Sequence, residues 1–408
     1  MKKIYITGGW GYGNYGDNAI LAGMLQSLKF RLKDSELIIT SFDTNELALQ
    51  NNVESIPSVH SLFTKNPITR LWHRFSYWLW RKSSYKWMFS SELNKHLEIL
   101  KKSNVLLMGG GGYFNDAWPS MLNSKYAELE LAEVANCPVM LYGQTIGPFS
   151  DYTIKNSLSK KLNKVSFISY RDAQSAETLK KSDFNFSNAL LTADEANLLP
   201  VLKKNYLKNH DGKIVIGVMI QNFRPHLNVS GVSVGATIPD SSSYISEVVN
   251  ALNAISSLMP CHFVFMTSTT WDLKTNQSVF NEIRPCQRST KEFINNFDTD
   301  QFISICQHVD VMLSTNMHPI ILATTAHKPS VALSYHYKLD DYMESVGQRG
   351  SVLRIDNFSS DTLKNALLKV VENRFIFQVN IQGQHGLVKD LAKLNCGALL
   401  KLLDINEF

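Results

Sequence analysis

Apolar residues along this chain occur in two alternating patterns. Short, nearly continuous apolar runs are separated by longer segments in which apolar positions recur every three or four residues, such as the segment from about Asp17 to Arg31. Runs of the first kind are typical of buried parallel strands, and segments of the second kind predict helices. The alternation therefore predicts parallel βαβ units. In the first half of the chain the predicted strands are Ile4–Thr7, Leu37–Ser41, Asn104–Met108, Val139–Tyr142 and Phe167–Ser169.

A polar stretch at 203–212 separates these strands from a second set. We therefore predict two Rossmann-like α/β domains that face a cleft, an N-terminal domain of residues 1–205 and a C-terminal domain of residues 206–385. A closing helix from about Leu387 to Leu403, within residues 386–408, is predicted to pack back on the first domain. Ligands of such folds bind outside the carboxyl ends of the strands. In the second half the predicted strands are Ile214–Ile220, Phe263–Thr267, Val309–Ser314, Ser330–Ser334 and Val352–Ile355.

An insertion at about residues 66–92 departs from this pattern. It carries four of the seven tryptophans of the chain, interleaved with arginine and lysine. Cationic groups beside Trp and Tyr suit the headgroup region of an anionic leaflet, so residues 70–89 predict a peripheral membrane contact. Alternatively, the aromatic side chains cover a core and the arginines form its solvated rim. Trp72, Trp78 and Trp80 cannot all lie on one narrow helical stripe, which favours the membrane contact.

Composition restricts the function classes open to the chain. Its 408 residues, 44% hydrophobic and 19% charged, suffice for two ordinary cores and exclude a disordered or fibrous protein. The five cysteines form no Cys-x-x-Cys pair, so neither a disulfide framework nor a metal site is predicted. The apolar run at the N-terminus is too short for a signal peptide, and we expect a cytoplasmic protein, with contact at the inner face of the membrane.

The net charge of +5 fits anionic ligands or an anionic membrane. The sequence has no dense basic stripe of the kind that binds nucleic acid. It also has no apolar run that approaches the ~20 residues needed to span a bilayer. These features favour anionic ligands or an anionic membrane surface over nucleic acid.

The first predicted strand runs into a glycine-rich turn. It contains Gly11-x-Gly13-x-x-Gly16, with Asn14 inside it, immediately before the first helix. Glycine permits positive φ and lets a phosphate approach the amides of a helix N-terminus. The spacing is also the fingerprint of dinucleotide-binding folds, with Asp43 as the ribose acid, although a lone match of this kind is weak. A nicotinamide-dependent oxidoreductase is thus one hypothesis.

Two further glycine loops follow later strands. Gly110 and Gly111 lie in a run of four glycines, and Gln144 and Gly147 follow the fourth predicted strand. In a parallel sheet these loops share one edge with the turn after the first strand. Their backbone amides are therefore predicted to line one wall of the cleft.

Two polar clusters follow strands of the second half. One is Ser314–Pro319, which contains His318, and the other is Leu333–Lys338. A histidine at the start of a helix is well placed to transfer a proton or to contact a phosphate. The residues around His318 make it the stronger candidate, since a single histidine such as His336 is more often structural.

Taken in order, these motifs resemble the polysaccharide pyruvyltransferase family, in particular the pyruvyltransferases of exopolysaccharide pathways of the colanic-acid type. The resemblance spans about residues 4–347. Each motif is short, but their order and spacing together are fairly specific. The motifs are Asn14–Leu21, Gly109–Gly112, Gly143–Pro148, Ser169–Asp172, Thr192–Asp194, and His318 with Tyr335–Lys338.

The resemblance implies a glycosyltransferase-B-like arrangement, with the acceptor on the N-terminal side and the donor on the C-terminal side. It also implies transfer of a pyruvyl group from phosphoenolpyruvate, with no other cofactor, to two hydroxyls of a sugar, which forms a cyclic ketal. The acceptor is expected to be a nucleotide- or lipid-linked sugar destined for the cell surface. The glycine loops, with Asn14, Gln144 and Arg171, are then candidates for the acceptor side.

Such a transfer needs three chemical elements. Cations must hold the phosphate and carboxylate of the donor, an acid must protonate its methylene carbon, and a base must accept the hydroxyl proton. His318 matches the histidine of the family and is the candidate acid. Asp17 is the candidate that orients or deprotonates the acceptor, unless it only caps the helix.

The chain departs from the family pattern at two positions expected to bind the anionic donor. Asn316 and Gln221 stand where the resemblance implies arginines. An amide can hydrogen-bond a carboxylate but supplies no charge, so donor binding is weaker or reorganised, or the donor has changed. The cations that could compensate are Arg224, Lys338, Arg349 and, from the first domain, Arg171.

The sequence thus leaves three hypotheses, which we rank in order. The first is a pyruvyltransferase with a rearranged anion site, favoured by the resemblance along most of the chain. The second is a related transferase with another donor, such as a nucleotide sugar, favoured by Asn316 and Gln221. The third is a nicotinamide-dependent oxidoreductase or a non-catalytic relative, supported only by the glycine fingerprint or by the loss of the two arginines.

Overall fold

The chain divides into two α/β units after residue 195. They are seen in a computed structural model that describes residues 1–43, 48, 51–147, 149, 152–181, 186–208, 210, 212–222, 241–286 and 288–405. The first unit contains Met1–Tyr12, Ile20–Glu195 and Leu391–Phe408, and the second contains Gly13–Ala19 and Ala196–Asp390. The units divide after Glu195, whereas the sequence pattern places the boundary after residue 205. The short segment 13–19 belongs to the second unit although it lies near the N-terminus of the chain.

The described part of the first unit contains an eight-stranded sheet. Its strands are β1 (Lys2–Thr7), β2 (Ser35–Ser41), β3 (Glu54–Pro57), β4 (Val105–Met108), β5 (Gly111–Phe114), β6 (Val139–Ile146), β7 (Phe167–Tyr170) and β8 (Ala189–Leu191). They pair in parallel in the order β3-β2-β1-β4-β6-β7-β8, and β5 pairs with β6. The order reverses between β1 and β4, which makes their carboxyl ends a topological switch point.

Helices cover both faces of this sheet. Ile4 and Ile6 of β1 point into one core cluster and Tyr5 points into the other, because successive side chains of a strand alternate between its faces. Among the described residues up to 195, the helices with defined bounds are α1 (Tyr15–Arg31), α2 (Val59–Thr64), α3 (Pro67–Lys82), α4 (Ser91–Lys102), α5 (Pro119–Val134), α6 (Tyr152–Leu162) and α7 (Ala173–Lys180).

The described part of the second unit contains a six-stranded parallel sheet. Its strands are β9 (Ile214–Met219), β10 (Cys261–Phe265), β11 (Thr290–Phe293), β12 (Val311–Ser314), β13 (Ser330–Ser334) and β14 (Val352–Arg354). They pair in the order β11-β10-β9-β12-β13-β14, which is the strand order of Rossmann folds. Its switch point lies between β9 and β12. The helices of the part described after residue 195 are α8 (Ser241–Leu258), α9 (Leu273–Glu282), α10 (Thr299–His308), α11 (Met317–Thr325), α12 (Tyr337–Ser345), α13 (Ser360–Glu372) and α14 (Arg374–Leu402).

The closing helix, α14, is longer than its sequence pattern indicates. It starts at Arg374 rather than at about Leu387, because Gly383 and Gly386 interrupt the apolar pattern without breaking the helix. From Leu391 onward it belongs to the first unit, where Leu399 is fully buried in the same core cluster as β1. Full burial of one leucine side chain stabilises a fold by roughly 1.5–3 kcal/mol.

A buried carboxyl group lies where α14 meets the first unit. Glu195 is 1% exposed and sits beside Tyr142 and Asn395. The amide of Asn395 also donates to the carbonyl of Ala193 at 2.9 Å. Burial raises the pKa of Glu195 from its ordinary value of 4.5 to about 8, so the folded protein holds this carboxyl protonated at neutral pH.

Replacing Glu195 with glutamine is expected to make the folded state more stable at pH 8. The folded carboxyl keeps a proton that the unfolded chain releases above about pH 4.5, so this stabilisation is complete at low pH and is lost between about pH 4.5 and 8. A neutral glutamine avoids that loss, which amounts to about 2–5 kcal/mol. Urea unfolding of both proteins at pH 5 and pH 8 measures it, with the exposed Glu282→Gln as control. An equal stability difference at the two pH values would contradict the prediction.

Candidate active site

The carboxyl ends of β9 and β12 bring three of the sequence-predicted residues together in the second unit. Gln221 follows β9, and Asn316 and His318 follow β12, so all three lie at the switch point of the second sheet. The backbone N–H of Gln221 donates to Oγ1 of Thr315 at 2.7 Å, which joins the two strand ends. Open α/β sheets bind their ligands at this position.

His318 is the second residue of α11 and is half-buried. The turn before the helix is closed by Ser314, whose hydroxyl accepts the backbone N–H of Asn316 at 2.9 Å. The unpaired N–H groups at a helix N-terminus favour an anion nearby. A group that can donate a proton therefore stands beside a helix end that can stabilise negative charge.

The glycine turn of segment 13–19 lies against this histidine. The backbone N–H of Tyr15 donates to the carbonyl of Ser268 at 2.9 Å, which attaches the turn to the loop after β10. A Cβ on Gly16 would lie 2.7 Å from Cγ and 2.9 Å from Cβ of His318, and closer still to Nδ1. Glycine alone lets the backbone pass the imidazole ring at this distance. The turn that the sequence assigns to the first domain is thus part of the second unit.

Asn14 and Asp17 organise the first turn of α1. Oδ1 of Asn14 accepts the backbone N–H groups of Gly16 at 3.0 Å and of Asp17 at 3.4 Å, as an N-cap does. Nδ2 of Asn14 donates to Oδ2 of Asp17 at 2.9 Å. The capping role that the sequence offers as the alternative for Asp17 is therefore performed by Asn14, which also orients the Asp17 carboxylate.

Asn316 is held by its neighbours at the position where the resemblance implies an arginine. Its Nδ2 donates to Oγ of Ser268 at 2.6 Å and lies 3.4 Å from Oδ2 of Asp272. Its Oδ1 accepts the hydroxyl of Thr315 at 3.0 Å. The amide thus connects the end of β12 with the loop after β10.

Asp272 is a buried carboxylate that sequence reasoning missed. It is 3% exposed, and its oxygens accept the backbone N–H of Asn222 at 2.8 Å and the hydroxyl of Thr269 at 2.7 Å. These two contacts join the ends of β9 and β10 through one buried carboxylate. Its position could have revealed it, because it follows the polar run 267–270 shortly after β10.

The cluster after β13 places His336 and Lys338 at the start of α12, which packs beside α11. Nδ1 of His336 accepts the backbone N–H of Lys338 at 3.2 Å, so a neutral imidazole caps α12. Burial, aided by the charges of Lys338 and Arg354, lowers the pKa of His336 to about 2. His336 therefore has a structural role, and Lys338 supplies a cation at the carboxyl edge of the sheet.

The remaining cations named for the donor site have other positions. Arg349 precedes β14 and therefore lies at the amino edge of the parallel sheet, where its exposed guanidinium pairs with Glu344. Arg224 falls outside the described residues. Among the described cations of the donor set, Lys338 is thus the one of the second unit that shares an edge with His318.

The glycine loops of the first unit surround two aromatic rings. Trp10 is 1% exposed, and a Cβ on Gly8 or Gly109 would overlap its indole ring. A Cβ on Gly111 would likewise overlap the ring of Tyr113. These glycines therefore have a packing reason that sequence reasoning did not identify when it assigned the loops to phosphate-binding amides.

Other glycines of the predicted loops permit backbone bends and close approaches. Gly11, Gly13 and Gly147 adopt left-handed φ values of 73°, 71° and 82°. A Cβ on Gly110 would lie 3.1 Å from the carbonyl oxygen of Gly143. The backbone conformation of the chain is therefore enough to explain why glycine stands at positions 11 and 13 of the Gly11-x-Gly13-x-x-Gly16 turn.

Two polar residues of the first unit hold its loops in place. Nε2 of Gln144 donates to the carbonyl of Met108 at 2.8 Å. The guanidinium of Arg171 forms a buried ion pair with Asp194. Separating a buried ion pair leaves an uncompensated charge, so we expect the guanidinium of Arg171 to stay paired with Asp194.

A further buried ion pair lies below the turn after β1, and sequence reasoning missed it. Lys125 and Glu128 of α5 are almost fully buried and pair at 2.9 Å. Oε2 of Glu128 also accepts the hydroxyl of Thr7 at 2.9 Å, and Nζ of Lys125 donates to the carbonyl of Gly8 at 3.4 Å. An i,i+3 pair in a helix is usually a surface pair, so its spacing gave no signal of burial at the switch point of the first sheet.

The described residues also bring together one group of side chains with the composition of a metal site, although the sequence predicts none. Oε1 of Glu292 lies 3.1 Å from Nε2 of His262 and 3.6 Å from Nε2 of His210. The imidazole rings are stacked, with centroids 3.5 Å apart and planes 16° apart. The lone pair of an imidazole nitrogen lies in the plane of its ring. Because the two ring planes are stacked and nearly parallel, a single ion cannot lie in both planes and bind both rings. In this arrangement the group is a hydrogen-bonded cluster.

The two parallel sheets define the class of fold. HepE from Anabaena, solved with UDP-glucose, superposes with a TM-score of 0.60 at 12% identity, covering 99% of this chain and 100% of that chain. The UDP-GlcNAc 2-epimerase of Neisseria meningitidis superposes with a TM-score of 0.59 at 11% identity, covering 98% of this chain and 100% of that chain. The predicted class, two Rossmann-like units of the glycosyltransferase-B type, is confirmed.

The family follows from the sequence comparisons. The model of the polysaccharide pyruvyl transferase family matches residues 14–337, and the chain belongs to this family of enzymes. The amylovoran biosynthesis protein AmsJ of Erwinia amylovora is 21% identical over 373 residues, which cover 85% of this chain and 86% of AmsJ. The matched region begins at Asn14 and includes His318, so it contains both parts of the candidate site.

Proposed function

We propose that this enzyme transfers the pyruvyl group of phosphoenolpyruvate to two hydroxyls of a sugar during polysaccharide biosynthesis, with His318 as the proton donor. The observation that carries the proposal is the packing of His318, at the start of α11, on Gly16 of the segment where the family match begins. A proton donor beside the N-terminal amides of a helix suits a donor that carries phosphate and carboxylate. The similarity to AmsJ, which is named for amylovoran biosynthesis, supports a role in polysaccharide biosynthesis.

The chemistry requires one proton to move onto carbon. His318 protonates the methylene carbon of phosphoenolpyruvate, and a sugar hydroxyl forms a C–O bond to the neighbouring carbon. The proton of that hydroxyl passes to a base, for which Asp17 is the candidate because Asn14 orients its carboxylate at the same turn. The second hydroxyl then displaces the phosphate, which leaves with the remaining proton, and the ketal closes.

Lys338 is the proposed cation for the donor, with the side-chain amide of Gln221 as a hydrogen-bond donor; Asn316, whose Nδ2 already donates to Ser268 and Asp272, holds the loops beside them. Lys338→Ala is expected to raise KM for phosphoenolpyruvate about tenfold with a smaller change in kcat, because a charge-assisted hydrogen bond to the donor is lost. Initial rates of phosphate release over a range of donor concentrations measure this. Lys364→Ala, on α13, removes the same charge elsewhere and serves as the control. An unchanged KM would exclude Lys338 from the donor site.

A nucleotide-sugar donor is the second candidate. It is favoured by the neutral side chains of Asn316 and Gln221 and by the fold shared with HepE, which was solved with UDP-glucose. The two donors are distinguished by one panel of nucleotide- and lipid-linked sugar acceptors. Sugar-dependent release of phosphate from phosphoenolpyruvate supports the pyruvyl transfer. Absence of that release and of calorimetric binding of phosphoenolpyruvate, together with release of UDP from a UDP-sugar, would replace it with the second candidate.

A further inference from the structure

Helix α3 turns most of its apolar side chains away from the core of the first unit. Its buried side chains are His73, Ser76 and Trp80, and Trp80 belongs to the core cluster. The alternative that aromatic residues cover a core therefore applies to Trp80. The exposed large apolar side chains of α3 and the loop after it are Ile68, Leu71, Trp72, Phe75, Trp78, Tyr85, Trp87 and Phe89. We refer to residues 66–89 as the α3 surface.

The exposed residues of α3 form one continuous stripe. Ile68, Leu71, Trp72 and Phe75 follow the i, i+3, i+4, i+7 spacing of a helix face, and Trp78 extends it. Trp72 and Trp78 are 48% and 52% exposed. Fully burying a large apolar side chain contributes roughly 1.5–3 kcal/mol, so a contiguous exposed set of this size indicates an interaction surface.

The charges around the stripe have one sign. Arg70, Arg74, Lys82 and Lys86 are exposed on the α3 surface. The chain contains no aspartate or glutamate between residues 55 and 91. Such a surface complements an anionic partner.

A pocket adjoins the α3 surface and adds to this complementarity. Its charged lining consists of Arg74 and Arg81 from α3, Lys161 from α6 and Glu130 from α5. Glu130 is bound to Arg81 at 3.0 Å and to Lys161 at 2.8 Å. Three cations facing one carboxylate leave the pocket net positive, which suits a phosphate group.

We propose that the α3 surface binds an anionic membrane leaflet, with the pocket beside it receiving a lipid headgroup phosphate. A helix of this kind lies in the interface plane, with its apolar side at the acyl boundary and its arginines among the headgroups. Trp and Tyr rings prefer this interfacial layer, and the exposed arginines and lysines without acidic neighbours in the segment match the anionic headgroups of a leaflet. No helix within the described residues is long and apolar enough to cross a bilayer. Membrane binding by the α3 surface does not depend on the proposed reaction, although it would place the enzyme next to a lipid-linked acceptor.

Co-sedimentation of the full chain with vesicles tests the proposal. The protein is expected to sediment with vesicles of phosphatidylcholine and phosphatidylglycerol far more than with phosphatidylcholine alone, and less at high salt. Arg70→Gln with Arg74→Gln is expected to weaken binding roughly 25-fold, since each basic residue near the surface contributes about fivefold. Trp72→Ser with Trp78→Ser is expected to weaken it at least about tenfold through lost apolar burial.

Matched controls remove the same groups elsewhere on the chain. Lys203→Gln with Lys208→Gln removes two exposed charges, and Phe375→Ser with Val379→Ser removes two exposed apolar side chains. Both controls are expected to bind vesicles like the unaltered protein. Failure of the unaltered protein to sediment, or equal loss in the controls, would overturn the proposal. So would a dimer in solution that Trp72→Ser with Trp78→Ser dissociates, because the α3 surface would then be covered by a second copy.

Discussion

The His318→Ala protein is expected to lose sugar-dependent phosphate release from phosphoenolpyruvate by about a hundredfold to ten-thousandfold, the range that positioned general acids contribute. The methylene carbon is a weak base, and without a placed acid it must take its proton from water. The imidazole of His318 is placed at the start of α11 at the switch point of the second sheet. The initial rate with the best acceptor of the panel, at saturating donor, measures the effect.

The control for this substitution is His308→Ala. His308 ends α10, which leads into β12, so it lies at the opposite edge of the sheet from His318. We expect His308→Ala to keep near-normal activity and His318→Ala to keep its melting temperature and its calorimetric affinity for phosphoenolpyruvate. Loss of rate without loss of binding is the mark of a group that acts on the transition state. A His318→Ala protein that retains a tenth or more of the normal rate would contradict the assignment as acid.

The fold was predictable where strands are buried on both faces. All ten strands expected from apolar runs are present, because a strand covered by helices on both sides must be apolar throughout. The strands without such a run are β3, β5, β8 and β11. Three of these are sheet edges, where one side of the strand lacks a neighbour, and β5 starts with two glycines that have the composition of a loop.

The candidate site was predictable only in part. The pattern of a polar cluster after a strand identified His318, Asn316 and Gln221, since parallel strands bring such clusters to one edge. It did not show that the turn at Gly16 would join the second unit, because local sequence carries no information on which of two sheets a loop packs against. Asp272 was missed because a buried carboxylate is recognised by its partners, and those come from other strands.

Glycine was the residue type most open to misinterpretation. A glycine that admits a ligand and a glycine that admits an aromatic ring have the same local sequence. In the first unit the rings of Trp10 and Tyr113 account for Gly8, Gly109 and Gly111. In the second unit the ring is that of the proposed acid, so there the same packing constraint has a consequence for function.

Gly16→Ala is accordingly expected to lower the rate at least about a hundredfold while the protein stays folded. The new Cβ would lie 2.7 Å from Cγ of His318, so the imidazole or the turn must move by roughly 1 Å, and a displacement of that size can cost about a hundredfold in rate. Gly16 is not in the left-handed region, and alanine is favoured in a helix, so backbone strain does not explain the loss. Gly383→Ala on α14, where a Cβ would meet nothing within 4 Å, is the matched control and is expected to be fully active.

A double-mutant cycle separates an effect through the histidine from general damage to the turn. If Gly16→Ala acts by displacing the imidazole, adding it to His318→Ala should cost much less than it does alone, because the imidazole is already absent and only the 2.9 Å contact with Cβ of residue 318 remains. The two losses would then be strongly non-additive, as they are for groups that work as a unit. Losses that simply multiply would show that Gly16 acts through the backbone or through Asp17 instead. That outcome would leave His318 as the acid and make the turn itself a binding element for the substrate.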